Sequence, residues 1–197
     1  MPPVVDMSLV KKFVEKHWIE GWGLSYYKNL DGYSKLGLMI YNTKYNFQGR
    51  SIKEREETAE NLRAVVKDFI SQKYPLKSRP FDAVITPPGN LEKPFDLTKF
   101  IAARLTSGGI RDISNYVAKT RPIPVMKNLP VRERRAAIKD AFELIGLPTD
   151  WQPKGFLILD DILDTGATAR EICNLLEKKF PGVPRYYLAI TYLGDGK

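Results

Sequence analysis

Hydrophobic residues near the N-terminus recur at the spacing of a helix. Ser8 can cap such a helix, since its hydroxyl can accept a hydrogen bond from a backbone amide. The apolar stripe that follows consists of Leu9, Val10, Phe13, Val14 and Trp18. The pattern therefore predicts an amphipathic helix that begins after Ser8.

Three later segments also have helical spacing. Ser51 and Glu54 form a capping-box signature, and the apolar face behind them predicts a helix that ends at Pro75. Residues 96–106 predict a second helix, and residues 167–180 predict a third. Gly-Gly or Pro-Gly follows these last two segments, and such pairs commonly end helices.

Short apolar stretches between the helices predict strands. They lie at 83–85, 155–159 and 186–192, with 115–118 as a further candidate. Because strands and helices alternate, we expect an α/β fold with a Rossmann-like parallel sheet that has helices on both faces. We expect a single domain, in which residues 51–197 form this core and residues 1–50 form a small N-terminal appendage or hood.

Composition narrows the possible chemistry. The chain carries 31 Lys and Arg against 23 Asp and Glu, a formal net charge of +8, which favours anionic ligands such as phosphates or nucleic acid. One cysteine, Cys173, and one histidine, His17, exclude an internal disulfide and most transition-metal and Ser-His-Asp sites. No apolar run approaches the roughly 20 residues that a membrane-spanning helix needs, so we expect a soluble cytoplasmic protein.

The most informative segment covers residues 156–168, whose sequence is FLILDDILDTGAT. An apolar strand is predicted to end there at Asp160 and Asp161. Ligands of parallel sheets gather beyond the carboxyl ends of the strands. Two adjacent carboxylates at that edge can accept hydrogen bonds from the cis-diol of a sugar or from water bound to Mg²⁺.

The turn after this acid pair is suited to a phosphate group. It contains Asp164, Thr165, Gly166, Ala167 and Thr168 and leads into a helix. Amides at the start of a helix lack internal partners and carry partial positive charge, and hydroxyls donate further hydrogen bonds. A diol site and a phosphate site would thus lie side by side, as ribose 5-phosphate requires.

Each of these residue types also has an ordinary structural explanation. Asp and Thr are common helix caps, and an apolar strand often ends in Asp. A strand with terminal acids also occurs in P-loop ATPases. The chain has neither the GxxxxGK[ST] segment of those proteins nor the GxGxxG segment of a dinucleotide fold.

The segment 156–168 resembles the signature of type I phosphoribosyltransferases over its full length. This resemblance implies the fold of that family and binding of 5-phosphoribosyl-1-pyrophosphate (PRPP) with Mg²⁺ as cofactor. It implies that Asp160 and Asp161 hold the ribose hydroxyls and contact the metal through water. It also implies that the loop 164–168 holds the 5-phosphate.

Two further segments resemble the ComF-like branch of that family. They are LGLMIYNTKYNFQGR, with its Lys-Tyr and Gly-Arg pairs, and LPVRERRAAIKDAF, with its Glu-Arg-Arg triplet. The chain lacks the cysteine pairs of the zinc ribbon that usually begins this branch, and Ala137 stands where Asn is typical. A role in DNA uptake therefore does not follow from the resemblance.

The resemblance also implies a pyrophosphate loop after an early strand. Here that loop is formed by Thr86, Pro87, Pro88, Gly89 and Asn90, and Lys93 can reach the same anion. A plain proline turn is the alternative interpretation. The segment 120–130 contains three prolines and predicts a mobile connection that closes over the site.

Cations from two parts of the chain could close over a polyphosphate. They are Lys44, Lys119, Arg121 and Arg134, of which Arg134 fits the branch motif best. A solvated cationic face and contact with nucleic acid are the alternatives. Trp18, Trp22, Tyr26 and Tyr27 could stack on a base or pack in the core.

The expected activity is transfer of a phosphoribosyl group to a nitrogen acceptor, a nucleobase or an amine, with release of pyrophosphate. The catalytic candidates are Asp160, Asp161, Asp164 and Arg134. The alternative is a non-catalytic regulator that binds PRPP or nucleotides, or an adaptor associated with nucleic acid. A homodimer is a further possibility, and the acceptor is not specified by any motif.

Overall fold

The computed structural model describes residues 4–46, 49–89, 95–106, 109–124, 128–148 and 150–193. The strands are β1 (Lys11–Glu15), β2 (Trp18–Gly23), β3 (Lys28–Asn29), β4 (Gly32–Tyr33), β5 (Ala83–Ile85), β6 (Arg111–Asp112), β7 (Val117–Lys119), β8 (Phe142–Leu144), β9 (Phe156–Leu163) and β10 (Arg185–Tyr192). The helices are α1 (Lys35–Lys44), α2 (Ile52–Lys73), α3 (Leu97–Leu105), α4 (Val131–Ile138) and α5 (Ala167–Lys179), with short 3-10 turns at Met7–Leu9 and Ser114–Tyr116.

The central sheet has the strand order β1-β2-β10-β9-β5-β6. All of its pairs are parallel except β1 with β2. Two small antiparallel pairs, β3–β4 and β7–β8, stand outside it. The predicted α/β class, with a mostly parallel sheet flanked by helices, is confirmed.

Side chains of β9 alternate between two hydrophobic layers, as strand geometry requires. Leu157 and Leu159 pack with the buried faces of α2 and α3. Phe156 and Ile158 pack on the other side, where α5 contributes Ile172 and its neighbours. Burial on both faces explains why β9 begins as an unbroken apolar run, and it fixes the position of the acid pair that follows.

The predicted N-terminal helix is wrong. Residues 11–23 form β1 and β2, and residues 20–23 pair with β10. The helical spacing is coincidental, because Val14 of the supposed apolar stripe is 88% exposed. Trp18 is buried because its ring stacks on Tyr187 of β10, with centroids 4.8 Å apart. Pairing with β10, a strand distant in sequence, thus determines the secondary structure of this segment.

Most of the other predicted elements are present. Ser51 and Glu54 form the capping box of α2, and Asp96 caps α3. Strand 83–85, strand 186–192 and helix 167–180 also agree with β5, β10 and α5. The candidate strand 115–118 is divided between a 3-10 turn and β7, and no element had been predicted where α4 lies.

Strand β9 is longer than predicted. It does not end at Asp160 and Asp161 but continues to Leu163, since Asp160 is paired with Ala189 and Ile162 with Thr191 of β10. The acid pair therefore lies within the strand, on a rigid backbone. The division into an appendage and a core stays a prediction, although β1 and β2 of residues 1–50 extend the central sheet.

Candidate functional site

A cavity of about 370 Å³ opens where β9 turns into α5. Its lining residues come from the N-terminal segment, α4, β9 and α5, and they are Tyr27, Lys44, Tyr45, Arg134, Asp160, Asp161, Ile162, Leu163, Asp164, Thr165, Gly166, Ala167, Thr168 and Leu193. Every residue predicted for the ribose and 5-phosphate sites lies along this one cavity. The structure thus brings the acid pair and the predicted phosphate loop together.

The predicted phosphate loop, residues 164–168, has a left-handed backbone at Gly166. This residue occupies the N-cap position of α5 with φ of 70°, and no side chain caps the helix there. The Thr165 hydroxyl lies 3.4 Å from the Ala167 amide. Residues 165–168 all line the cavity, so the start of α5 faces it, and helix N-termini are common binding sites for anions.

Gly166→Ala should weaken binding of a phosphate group in this loop. A Cβ at φ of 70° is strained by about 1 kcal/mol, and it would lie 3.4 Å from Leu163. The melting temperature should decrease slightly, and the affinity for inorganic phosphate, measured by titration, should fall more clearly. Gly182 has φ of 76° with no atom within 4 Å of a built Cβ, so Gly182→Ala is the control for backbone strain alone.

Asp160 is held from two sides. The Tyr187 hydroxyl donates to its Oδ2 at 3.3 Å, and the Asp161 amide donates to its Oδ1 at 2.9 Å. Burial, and then the charge of Asp161, raise the pKa of Asp160 to about 7. This carboxyl group is therefore poised to change its charge near neutral pH.

Asp161 has a different partner. The Lys44 ammonium, at the end of α1, forms an ion pair with its carboxylate. Both side chains are mostly buried, at 22% and 13% exposure for Lys44 and Asp161. Burial disfavours the charged ammonium, but the charge of Asp161 outweighs this and raises the pKa of Lys44. The pair links the N-terminal segment directly to the acid pair.

Helix α1 reaches the site because the chain before it pairs with the end of β10. The Tyr27 amide donates to the Tyr192 carbonyl at 2.6 Å. Ser34 then caps α1 by accepting from the Gly37 amide at 3.0 Å. Gly37 lies directly against the Tyr27 carbonyl, where a Cβ would collide with it. This close contact sets the position of α1, and so of Lys44.

Arg134 is part of the same cavity. Its guanidinium forms an ion pair with Asp164, and its Nε donates to the Leu129 carbonyl at 3.0 Å. The guanidinium is thus anchored to the chain before α4 and to Asp164 of the predicted phosphate loop. Among the predicted cations, Lys44 and Arg134 line the cavity, whereas Lys119 and Arg121 do not.

The other two cations have local partners. The Lys119 ammonium donates to the Gly89 carbonyl, and burial lowers the pKa of Lys119. Arg121 donates to the carbonyls of Ala137 and Lys139 at 3.0 and 3.1 Å, and so stabilises the end of α4. Within the segment 120–130, residues 125–127 lie outside the described residues.

The predicted pyrophosphate loop begins directly after β5, the neighbour of β9. Ile85 is paired with Ile158, so Thr86 leaves the sheet at the same edge as Asp160. The Thr86 amide donates to Ser114 at 3.0 Å, while its buried Oγ1 has no hydrogen-bond partner among the described residues. Asn90 and Lys93 lie outside the described residues.

Sequence patterns missed two residues of the site. Tyr187, the donor to Asp160, belongs to an apolar strand and carries no motif. Tyr45 lines the cavity, and its position directly after the predicted site residue Lys44 was the sequence feature that could have identified it. Of the aromatic residues considered for base stacking, Tyr27 lines the cavity and Trp18 packs in the core.

Comparisons with known proteins give partial matches. No protein-family model matches the chain. Competence protein F of Haemophilus influenzae is 29% identical over 69 residues, which are 35% of this chain and 30% of that protein. The chain is thus similar to a competence protein F. The match spans about a third of that curated relative and agrees with the ComF-like resemblance of the sequence.

The solved structures that align with the chain include two phosphoribosyltransferases. An adenine phosphoribosyltransferase aligns with 72% of this chain and 74% of its own, at 16% identity and a TM-score of 0.45. The xanthine-guanine-hypoxanthine phosphoribosyltransferase of Helicobacter pylori aligns with 72% of this chain and 77% of its own, at 15% identity and a TM-score of 0.41. Among the described residues, no helix has the length and apolarity to cross a membrane.

Proposed function

We propose that the chain binds PRPP in the cavity between β9 and α5 and transfers its phosphoribosyl group to a nitrogen acceptor. One observation carries this proposal: the acid pair and the amide-rich start of α5 line the same cavity. Carboxylates accept hydrogen bonds from the two hydroxyls of a ribose. The backbone amides at the start of a helix donate hydrogen bonds to a phosphate. The two subsites are neighbours along the chain, as the ribose and its 5-phosphate are neighbours in the ligand.

The 5-phosphate would occupy the loop 164–168. Its oxygens would accept from the first amides of α5 and from the hydroxyls of Thr165 and Thr168, which line the cavity. The macrodipole of α5 adds partial positive charge at this end. Arg134 lies beside Asp164 and would supply a charge-assisted contact to the same anion.

The ribose hydroxyls would lie on the acid pair, in which Asp160 Oδ2 is held by Tyr187 and Asp161 is held by Lys44. Within the described ranges, no group of three or more His, Cys, Asp or Glu side chains could hold a metal ion. We expect Mg²⁺ to arrive on the oxygens of PRPP, with Asp160 and Asp161 contacting it through water, because Mg²⁺ prefers oxygen ligands and retains part of its hydration. The metal would neutralise the departing pyrophosphate.

The pyrophosphate would extend towards the chain that follows β5. Thr86 to Gly89 leave the sheet beside β9, and Lys119 lies against Gly89. The Thr86 hydroxyl has no hydrogen-bond partner among the described residues, and this supports a polar ligand at this edge. Asn90 and Lys93 remain predicted members of the same subsite.

The proposed reaction is a displacement at the anomeric carbon. The acceptor nitrogen forms a bond to C1 while the bond from C1 to the pyrophosphate oxygen breaks, and pyrophosphate leaves with the electron pair. The acceptor proton is lost to solvent. The tasks of Asp160, Asp161, Asp164 and Arg134 are to orient the sugar and to stabilise charge, since no protein nucleophile is needed.

Calorimetric titration with PRPP and Mg²⁺ tests the binding site. The double variant Thr165→Val and Thr168→Val should weaken binding by about a hundredfold or more, because two hydrogen bonds to a charged group are lost, at roughly 1.5–3 kcal/mol each. Thr58→Val is the matched control, since Thr58 lies on α2 and only bonds to the Glu54 carbonyl within its own helix. Absence of heat with the unaltered protein, or equal losses in both variants, would contradict the proposal.

A regulator that binds PRPP without catalysis is the second candidate. Asp161 and Asp164 are both engaged by the chain's own cations, an arrangement that binding of an anion would rearrange. The net charge of +8 also permits contact with nucleic acid. Pyrophosphate release with any of a panel of bases and amines supports the enzyme, whereas no release together with salt-dependent DNA binding supports the regulator.

A further inference from the structure

The cavity nearly balances its own charges. Of the described residues that line it, three are carboxylic acids, Asp160, Asp161 and Asp164, and two are cations, Lys44 and Arg134. Each cation is paired with a different acid. PRPP carries several negative charges, so a cavity with two uncompensated carboxylates beside the ribose would repel it.

Lys44 is the residue that removes most of this repulsion at the acid pair. Its ammonium contacts Asp161 directly and also lies 5.6 Å from the centre of the Tyr45 ring. The pair is mostly shielded from solvent, so its interaction is less screened than that of a surface pair. The cation therefore neutralises one carboxylate of the acid pair beside the predicted ribose site.

We propose that Lys44 is an internal counter-charge of the acid pair and allows PRPP to bind with only weak dependence on Mg²⁺. This inference rests on the proposed function, and it assigns a positioning role to a residue of the N-terminal segment. Lys44 acts through Asp161 on the charge and orientation of the acid pair. Arg134 does the same for Asp164 at the phosphate end.

Calorimetry with PRPP in EDTA and in Mg²⁺ tests the proposal on the full chain. The unaltered protein should bind PRPP in EDTA within about tenfold of its affinity in Mg²⁺. Lys44→Met keeps the length of the side chain but removes its charge, and should lose a further tenfold to roughly a hundredfold in EDTA. Mg²⁺ should restore most of that loss, and Lys44→Arg should behave like the unaltered protein.

Lys73→Met is the matched control. Lys73 lies at the end of α2, pairs with Glu20 at 3.7 Å and does not line the cavity. Lys73→Met should leave the affinity for PRPP unchanged both in EDTA and in Mg²⁺. An equal loss in EDTA and Mg²⁺ for Lys44→Met would show a merely structural role and overturn the proposal. Tighter binding by Lys44→Met would overturn it as well, because Lys44 would then compete with the ligand.

A measurement without PRPP separates this proposal from the proposed function. Removing the Lys44 charge leaves the acid pair without its cation, so Mg²⁺ alone should raise the melting temperature of Lys44→Met more than that of the unaltered protein. If PRPP does not bind at all, the proposed function fails, and this shift still decides the role of Lys44. An equal shift in the two proteins would overturn the internal counter-charge.

Discussion

Gly37→Ala is expected to destabilise the protein by about 1–3 kcal/mol, the usual cost of adding a methyl group where packing leaves no room. The new Cβ would collide with the Tyr27 carbonyl and lie 2.8 Å from its carbon and 3.1 Å from the Ser34 hydroxyl. The atoms it meets are mainly backbone, which cannot move aside as a flexible side chain can. Chemical denaturation measures the loss.

The same change should impair the site, because α1 must shift to relieve the collision and Lys44 moves with its end. PRPP binding should therefore fall more in Gly37→Ala than the loss of stability alone explains. Leu38→Ala is the control on the same helix, since Leu38 is 47% exposed. Retained binding and stability in Gly37→Ala would show that the contact between α1 and the Tyr27 carbonyl does not position the helix.

Asp160→Asn is expected to stabilise the protein above neutral pH, by an amount on the order of 4 kcal/mol. Burial and the charge of Asp161 raise the pKa of Asp160 to about 7, so the folded state holds a proton that the unfolded state releases nearer pH 4. The contribution of Asp160 to stability is thus greatest in acid, falls as the pH rises towards 7, and is then constant.

Denaturation of both proteins between acid and mildly alkaline pH measures this difference. The gain of Asp160→Asn over the unaltered protein should grow up to pH 7 and then level off. Asp68→Asn changes an exposed carboxylate on α2 and should alter the unfolding free energy by less than about 0.5 kcal/mol throughout. A gain that does not depend on pH would contradict the raised pKa of Asp160.

The neighbouring substitution should act in the opposite direction. Asp161→Asn leaves the Lys44 ammonium without its carboxylate partner, and an uncompensated, mostly buried cation costs free energy. The sequence alone treats the two acids as equivalent. Their different partners, Tyr187 for one and Lys44 for the other, make them chemically distinct.

The sequence by itself determined several local elements, among them α2, the start of β9 and the turn that leads into α5. The capping box of α2, the buried run of β9 and the Thr-Gly turn before α5 act within a few residues, so short-range pattern is enough to identify them. The motif 156–168 also indicated which side chains would share a cavity.

Only the tertiary structure determined the secondary structure of the N-terminal segment and the ion-pair partners of Asp161 and Asp164. Residues 11–23 have helical spacing but become strands, because the edge of β10 offers hydrogen bonds that lie far away in sequence. Lys44 meets Asp161 across 117 positions of the chain, and Arg134 meets Asp164 across 30. Such pairings depend on how the elements pack together. The contacts that stabilise them come from distant parts of the chain, so no single segment predicts them.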